Sequence, residues 1–440
     1  MLSPFRHLRG ASAVLATAAS LVLSPARGGG MPRIHVVGTE FRTEAGDPVW
    51  LNGINTAWMH WNDFGGDRFD AVLWDAEFRR YAEAGINCAR VWLDCDGEVA
   101  VAFDRAGFIV GPAPTFLADV EALLGIAERH GVYVLAVLMS FDHVKPSHAR
   151  HSLWRRVFNE DVHREAYIRH FVEPLARRFA GDPALLAWEI CNEPEWIWFR
   201  RYGVSRARVV AFHAHVAAAL HAAGAGAVTT GSASWRWHGE HWRGGVRGDQ
   251  PWSDASLGAH GAGPGARLDF FQVHYYDWMA PLGWSPYASE AGPGRFLRRV
   301  DRPVIIGETK GRRSWLTGRS VADSYERGAA NGYKGVFGWS AHGRDGHGNF
   351  EEIAMATRTM AKQLARNPVE PAGTAVAMRI AASRAAQTAA IASADDATLA
   401  AEPAEVYDRV ALAPIDDHVG PDALAAGEHH GSASTDDAIY

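Results

Sequence analysis

Two glutamates, Glu193 and Glu308, each lie at the end of a run of apolar residues. Glu193 belongs to LLAWEICNEP, from Leu185 to Pro194, and Glu308 belongs to PVIIGETKG, from Pro303 to Gly311. Such runs are typical of strands buried on both faces, where a charge is costly unless another group pairs with it or uses it. Two facing carboxylates can break a glycosidic bond, because one protonates the leaving oxygen while the other attacks the anomeric carbon.

Strand-like and helical runs alternate along the chain. Strand-like runs are predicted over residues 49–55, 86–94, 132–140, 185–194, 227–233, 270–278, 303–311 and 335–343. Such alternation is typical of parallel βαβ units, and eight is the number of strands in a closed α/β barrel. A doubly wound open sheet is the alternative, disfavoured because no glycine-rich phosphate motif follows the first strand. We therefore predict a (β/α)8 TIM barrel, with Glu193 and Glu308 facing each other from the fourth and seventh strands.

The segments between these strands have mixed character. Helical periodicity predicts helices over residues 71–84, 115–130, 161–180, 205–223, 292–300, 321–331 and 350–365. Residues 234–265 are rich in Gly, Trp and His without a clear period, which favours a long functional loop. After about Pro368 the chain is Ala-rich with few aromatic residues, so we expect residues 368–440 to form a low-complexity, mostly disordered tail.

The composition limits the functional classes. The chain has 440 residues, 48% of them hydrophobic, and its net charge of −6 gives no sign of nucleic acid or an anionic membrane surface as a partner. Tryptophan fills cores, but sugar rings also stack their C–H faces on indole, so the 17 tryptophans suit either a core or a glycan-binding cleft. Cys88, Cys95 and Cys191 lack zinc-type spacing and are interpreted as small buried hydrophobic residues.

The amino terminus has the pattern of a secretory signal peptide. Basic residues between Arg6 and Arg9 precede the apolar run from Ala11 to Leu23, and the small residues Ser24-Pro25-Ala26 follow it. The run is short and Ala-rich for a membrane span, so an uncleaved anchor is the alternative. We expect a signal peptide over residues 1–26, a catalytic domain over 31–367 and a secreted or periplasmic protein.

Several short motifs, in order, resemble those of glycoside hydrolase family 5, whose barrels carry two glutamates on the fourth and seventh strands. The matching pieces are Arg90 in INCARVWLD, Asn192-Glu193-Pro194, His274-Tyr275-Tyr276, Gly307-Glu308 and Trp339. The resemblance covers about Ile34 to Ala365. It implies a retaining mechanism, with Glu193 as the acid/base and Glu308 as the nucleophile.

The other matching residues have expected supporting roles. Arg90 is a permanent cation that would lower the pKa of the nucleophile, and Tyr276 would donate a hydrogen bond to the same carboxylate. Asn192 would bind the 2-hydroxyl group of the reacting sugar. His274 would lie within reach of the acid/base, and Trp339 would form the floor under the sugar. For Arg90, His274 and Trp339, ordinary ion pairing or core packing is the alternative.

Further polar and aromatic residues are candidates for a structural or a sugar-binding role. Glu189 has the same strand parity as Glu193, which predicts a structural group pointing into the barrel. Glu195 is expected to face solvent or the rim of a subsite. Candidate sugar contacts are the loop residues Trp58, His60, Trp61, His143, Trp196, Trp198, Trp235, Trp237, Trp278 and His342.

The favoured function is hydrolysis of a β-1,4-linked polysaccharide. General likeness around GINTAWMHWNDFGG and the fourth strand favours β-mannan slightly over cellulose or another β-glucan, and exo-action on oligosaccharides stays open. A catalytically inactive carbohydrate-binding barrel and a transglycosylase are the rivals. Two-carboxylate chemistry needs no metal ion or organic cofactor. We expect a monomer whose partner is the β-linked sugar chain, without nucleic acid and, after signal cleavage, without a membrane.

Overall fold

The computed structural model describes residues 30–238, 250–297 and 299–366. The predicted signal peptide (1–26) and tail (368–440) lie outside these residues. The strands are β1 (Ile34–Val37), β2 (Glu40–Thr43), β3 (Pro48–Val49), β4 (Leu51–Thr56), β5 (Cys88–Trp92), β6 (Val101–Phe103), β7 (Ile109–Pro112), β8 (Tyr133–Val137), β9 (Leu185–Asn192), β10 (Ala227–Ser232), β11 (Phe271–Tyr275), β12 (Val304–Lys310) and β13 (Gly335–Trp339). The helices are α1 (Ala71–Glu83), α2 (Phe116–His130), α3 (His151–Asn159), α4 (Asp161–Tyr167), α5 (Glu173–Arg178), α6 (Glu195–Phe199), α7 (Arg206–Ala222), α8 (Asp254–Gly258), α9 (Val321–Ala330) and α10 (Phe350–Arg366).

Eight parallel strands close into a barrel, which confirms the predicted TIM-barrel fold. Their order is β4, β5, β8, β9, β10, β11, β12 and β13, and β13 pairs with β4 to close the ring. In β4, β5, β8, β11 and β13 all residues are buried, because the interior layers cover one face and the surrounding helices the other. All carboxyl ends of these strands therefore open on one face of the barrel, the mouth.

The small antiparallel sheet of β1, β2 and β3 contributes to the barrel interior at one position. Phe41 of β2 is fully buried and packs edge-on against Phe270, with the ring centroids 5.1 Å apart. It belongs to an apolar cluster with Leu51, Ile305 and Phe337 from the barrel strands. Burial of one phenylalanine in this way contributes about 1.5–3 kcal/mol to folding. The sheet thus helps to fill the barrel away from the mouth.

The structure differs from the predicted helices and loops in several places. The predicted helix 161–180 consists of α4, a π turn at Ile168–Val172 and α5, because Pro174 has no N–H to continue an α-helical ladder. Among the described residues of the predicted helix 292–300, only the 3₁₀ turn Pro293–Arg295 is helical, in a stretch with two glycines and a proline. The predicted long loop 234–265 contains the short helix α8, and neither α3 nor the β6–β7 hairpin was predicted.

Two further features bear on the sequence-based expectations. Cys88, Cys95 and Cys191 are all buried and unpaired, as interpreted from their spacing. Within the described ranges, no helix combines the length and the apolar character that crossing a bilayer demands.

Candidate active site

The two glutamates meet at the barrel mouth. One carboxylate oxygen of Glu193, one of Glu308 and a ring nitrogen of His274 all lie within 4.8 Å of one another. His274 Nδ1 is 2.8 Å from Glu193 Oε1 and 3.4 Å from Glu308 Oε1. Carboxyl groups about 5 Å apart suit direct attack on a sugar, whereas those about 6.5–9.5 Å apart leave room for an intervening water. The geometry therefore suits attack by a carboxylate, with a covalent intermediate, rather than direct attack by a water molecule.

A sharp bend in the backbone positions Glu193. Its φ is +44°, in the left-handed region, which costs an L-residue about 1–2 kcal/mol. Its N–H donates to the carbonyl of Gly231 over 2.7 Å, and α6 begins two residues later, at Glu195. The bend thus converts strand β9 into a helix within one turn. A strained backbone held in this way is typical of functional positions.

An arginine network holds Glu308 from the barrel interior. The fully buried Arg90 donates to Glu308 Oε1 over 2.7 Å and to both oxygens of Glu189 over 2.6 and 2.7 Å. Its remaining bonds reach Asn192 Oδ1 at 2.8 Å and Asn55 Oδ1 at 2.9 Å. All of the N–H groups of the planar guanidinium donate a hydrogen bond, which fixes the positions of both the arginine and the carboxylates.

The rest of the network contains both predicted and unpredicted residues. Tyr276 Oη donates to Glu308 Oε2 over 2.7 Å, as predicted. Gln272 donates to Glu189 over 2.6 Å, so the interpretation of Glu189 as a structural group is confirmed. Asn55 and Gln272 were not identified from the sequence. Asn55 ends the predicted first strand, so the rule that polar residues at carboxyl ends line the mouth could have found it.

Burial sets the proton affinities of the pair. It raises the pKa of Glu193 to about 7, against the lowering effect of the Trp196 N–H, which donates to Glu193 Oε2 over 2.6 Å. Burial also raises the pKa of Glu308, against the lowering effects of His274 and then Arg90. Arg90 thus lowers the pKa of Glu308, as expected, but desolvation outweighs the cation and the net shift is upward. Burial lowers the pKa of His274 to about 4, so its imidazole is neutral at pH 7.

Several predicted sugar contacts form an aromatic wall at the mouth. The ring of Trp58 lies 4.8 Å from Trp61, 5.4 Å from Trp92 and 6.0 Å from Trp339. Trp339 ends β13 and donates its N–H to Asp345. Trp92 was not predicted, since inside a strand it looked like an ordinary core residue. These four indoles belong to one aromatic cluster at and just beyond the carboxyl ends of β4, β5 and β13.

Other predicted contacts lie at or near the mouth in different surroundings. His342 lines a small cavity together with Asn55 and Trp58, and its Nε2 is 3.0 Å from the Met59 sulfur. His60 is exposed, and its ring nitrogen lies 3.5 Å from Asp63. Both histidines are therefore still candidate sugar contacts.

Three further predicted sugar contacts, Trp198, Trp237 and Trp278, each pack on another tryptophan. The ring of Trp198 lies 5.5 Å from that of Trp237. Trp278 is half-buried and lies 6.4 Å from Trp284.

Two of the predicted sugar contacts are core residues, so these expectations are wrong. Trp235 is 1% exposed, stacks on Phe296 with centroids 4.4 Å apart, and belongs to the core. His143 is fully buried against Trp154 and accepts the backbone N–H of Ser140. Neither residue can touch a sugar.

Glu195, expected at the surface, is fully buried. Its carboxylate accepts hydrogen bonds from the Ser232 hydroxyl, the Trp252 N–H and the Ala233 N–H, at 2.5, 2.6 and 3.1 Å. Burial raises the pKa of Glu195 to about 7. These partners tie the start of α6 to the end of β10, so Glu195 supports the bend that carries Glu193.

Two groups of side chains in the described ranges have ligand-type geometry for a cation. One is Glu193, His274 and Glu308, where the guanidinium of Arg90 beside Glu308 opposes a second cation. The other is Asp96, Glu98 and His148. Both oxygens of Asp96 already accept hydrogen bonds from Trp61, Asn62 and the Glu98 N–H. This group therefore links the loop after β4 to the loop after β5.

Comparison with known proteins agrees with this geometry. The family model described as Cellulase (glycosyl hydrolase family 5) matches residues 43–343. The chain is 26% identical over 334 residues to a mannan endo-1,4-beta-mannosidase of Mytilus edulis, covering 70% of this chain and 88% of that protein. It is 30% identical over 156 residues to the enzyme of the same description from Cryptopygus antarcticus, covering 34% and 39%.

Solved structures show the same fold. The beta-mannanase from Mytilus edulis superposes with a TM-score of 0.66 at 23% identity, covering 76% of this chain and 97% of that one. The endo-1,4-beta-mannanase from Eisenia fetida gives a TM-score of 0.66 at 24% identity, covering 75% and 95%. With a family model that spans most of the barrel, the chain belongs to glycosyl hydrolase family 5 and is a glycoside hydrolase.

Proposed function

We propose that this protein is a retaining endo-β-1,4-mannanase in which Glu308 is the nucleophile and Glu193 the acid/base. The observation that carries the proposal is the approach of the two carboxylates to within 4.8 Å at the barrel mouth. The names of the relatives, mannan endo-1,4-beta-mannosidases, support mannan as the substrate.

The first step forms a covalent glycosyl-enzyme. The Glu308 carboxylate, oriented by Arg90 and Tyr276, attacks the anomeric carbon while the glycosidic C–O bond breaks. Glu193 gives its proton to the leaving oxygen, and a pKa of about 7 keeps it protonated in mildly acidic solution. Arg90 holds the amide oxygen of Asn192, which orients the amide NH₂ to donate to the sugar 2-hydroxyl.

The second step releases the sugar. Water attacks the anomeric carbon, the bond to Glu308 breaks, and Glu193 takes the water proton. Formation of the ester removes the negative charge of Glu308, so the pKa of Glu193 falls and the residue changes from acid to base. Trp339 lies beneath the sugar as an apolar floor. Two inversions at one carbon retain the β-configuration.

Two variants test the assignment. Glu308→Ala is expected to abolish turnover of mannan and of aryl β-mannosides, because no group can form the ester. Glu193→Ala is expected to retain ester formation from an aryl substrate with a good leaving group, and added azide then gives the β-azide. An α-azide, or azide rescue in the Glu308 variant, would reverse the assignment.

Substrate class is tested by a product profile on mannan, cellulose, xylan and mixed-linkage glucan. We expect mixed oligosaccharides from mannan, as endo-action requires. The family model is described as Cellulase, so a β-glucanase is the second candidate, and preferential release from cellulose would favour it. Release of single sugars from chain ends would favour an exo-enzyme, and products longer than the substrate a transglycosylase.

We further propose that the protein is secreted or periplasmic. The support is the basic and apolar pattern of its first 26 residues, which is typical of a cleaved signal. Mass spectrometry of the exported protein tests this, with a new amino terminus expected near Arg27.

A further inference from the structure

The loop after the nucleophile strand carries an exposed tryptophan. Trp315 is 72% exposed, and its neighbour Leu316 is 46% exposed. Of the tryptophans in the described ranges, Trp315 is the one whose side chain lies mostly in solvent. Scattered exposed valines and a methionine occur elsewhere, but here two large apolar side chains are adjacent. Adjacent exposed apolar groups of this size mark contact sites more often than isolated ones.

The turn that carries Trp315 is held by its own hydrogen bonds. Ser314 is buried, and its N–H donates to the Arg319 carbonyl over 2.8 Å. The Gly318 N–H donates to the Ser314 carbonyl over 2.9 Å, and the Thr317 N–H donates to the Ser314 hydroxyl over 2.9 Å. The Arg319 guanidinium anchors the far end on Asp277 over 2.7 Å. Because the turn is ordered beforehand, little entropy is lost when a ligand binds.

The same turn is continuous with the active-site mouth. The Gly311 N–H, three residues after Glu308, donates to the carbonyl of Trp339 over 2.9 Å. Trp315 follows Glu308 by seven residues, so at most about 25 Å of extended chain separates them. Since β12 ends at the mouth, Trp315 lies on the mouth side of the barrel, in the loop between β12 and α9.

We propose that Trp315 is a distal sugar-binding platform, which stacks on a pyranose ring of the β-linked chain whose scissile bond lies between Glu193 and Glu308. The indole face matches the C–H face of a sugar ring, an amphipathic surface that a neutral polysaccharide presents along its whole length. This inference rests on the proposed function. It predicts that the platform acts on long chains and not on substrates that fill only the sites beside the carboxylates.

The test compares long and short substrates in the full chain. Trp315→Ala is expected to lower kcat/KM on soluble mannan about 3- to 10-fold, through KM. The kcat/KM for an aryl β-mannobioside should stay within twofold of the parent value. Trp315→Phe should retain most of the activity on mannan. Val37→Ala, which alters an exposed apolar side chain on β1, is the matched control and should change neither substrate.

The outcomes separate this inference from the proposed function. If the parent protein cleaves both substrates and Trp315→Ala lowers both equally or neither, the platform is refuted while the proposed function stands. If the parent cleaves neither, the proposed function fails first and the platform fails with it. A shift from dimer to monomer in Trp315→Ala, with unchanged kinetics on mannan, would make the patch a contact between copies of this chain and refute the inference.

Discussion

The hydrogen bond from Trp196 to Glu193 makes a quantitative prediction about pH dependence. The indole N–H donates to Glu193 Oε2 over 2.6 Å and stabilises the ionised carboxylate. It therefore lowers a pKa that burial has raised to about 7. Trp196→Phe removes the donor and keeps an aromatic ring. Because the charged form loses its partner, the pKa of Glu193 should rise.

The size of the shift follows from the bond. A hydrogen bond to a charged group contributes about 1.5–3 kcal/mol, and one pKa unit corresponds to about 1.4 kcal/mol. The pKa of Glu193 should therefore rise by about 1–2 units. Glu193 has to be protonated to act as acid, so the alkaline limb of the kcat/KM profile should move from about pH 7 to higher pH by the same amount.

The assay is the pH profile of kcat/KM on a mannan oligosaccharide, whose sugar leaving group needs a proton, between pH 4 and about 10, beyond the expected limb. Trp198→Phe is the matched control, because Trp198 lies in the same short helix and packs on Trp237 and Trp252. Its profile should keep the parent limb. An alkaline limb that stays in place or moves to lower pH in Trp196→Phe would refute the reasoning, since it would mean that the limb does not report Glu193.

Three further substitutions probe buried positions of the protein. Arg90→Met removes the cation shared by Glu189 and Glu308, so unfolding in urea should show a loss of about 3–5 kcal/mol, and turnover should drop because Glu308 holds its proton to higher pH. Gly231→Ala places a methyl group against the Glu189 carboxylate, so stability should fall by about 1–3 kcal/mol and kcat should fall with it. Trp235→Ala empties a core position, so stability should fall by about 3–5 kcal/mol while KM for short oligosaccharides stays the same.

Controls for these substitutions follow from the same structure. Gly111→Ala adds a methyl group where no atom lies within 4 Å, and it should leave both stability and kcat unchanged. An Arg90→Met protein as stable as the parent would show that the network does not need its cation. A large rise in KM in Trp235→Ala would return Trp235 to the sugar-binding residues.

The fold and the carboxylate pair were predictable because both depend on local pattern. Glu193 and Glu308 follow buried apolar runs, and in a parallel barrel the ends of such runs meet at one face. Arg90 and Tyr276 were placed correctly through their motifs and contact Glu308 at 2.7 Å. The π turn at Ile168–Val172 was not predicted, because a single proline, Pro174, changes the hydrogen-bond ladder without interrupting the apolar period.

Loop side chains were less predictable because their direction depends on distant partners. Glu195 is buried by Ser232 and Trp252, which lie 37 and 57 residues further along the chain. Trp235 turns into the core onto Phe296, while Trp58 in a similar Trp-rich loop remains at the mouth. The net shift in the pKa of Glu308 could not be predicted either, since Arg90 was evident from the sequence but the degree of burial around Glu308 was not.

The anomeric form of the first product tests the central claim most directly. Proton NMR can record the newly formed reducing end of a mannan oligosaccharide within the first minutes of hydrolysis, before mutarotation mixes the anomers. Two carboxylates within 4.8 Å predict that the β-anomer appears first. Initial formation of the α-anomer would contradict the double displacement through Glu308.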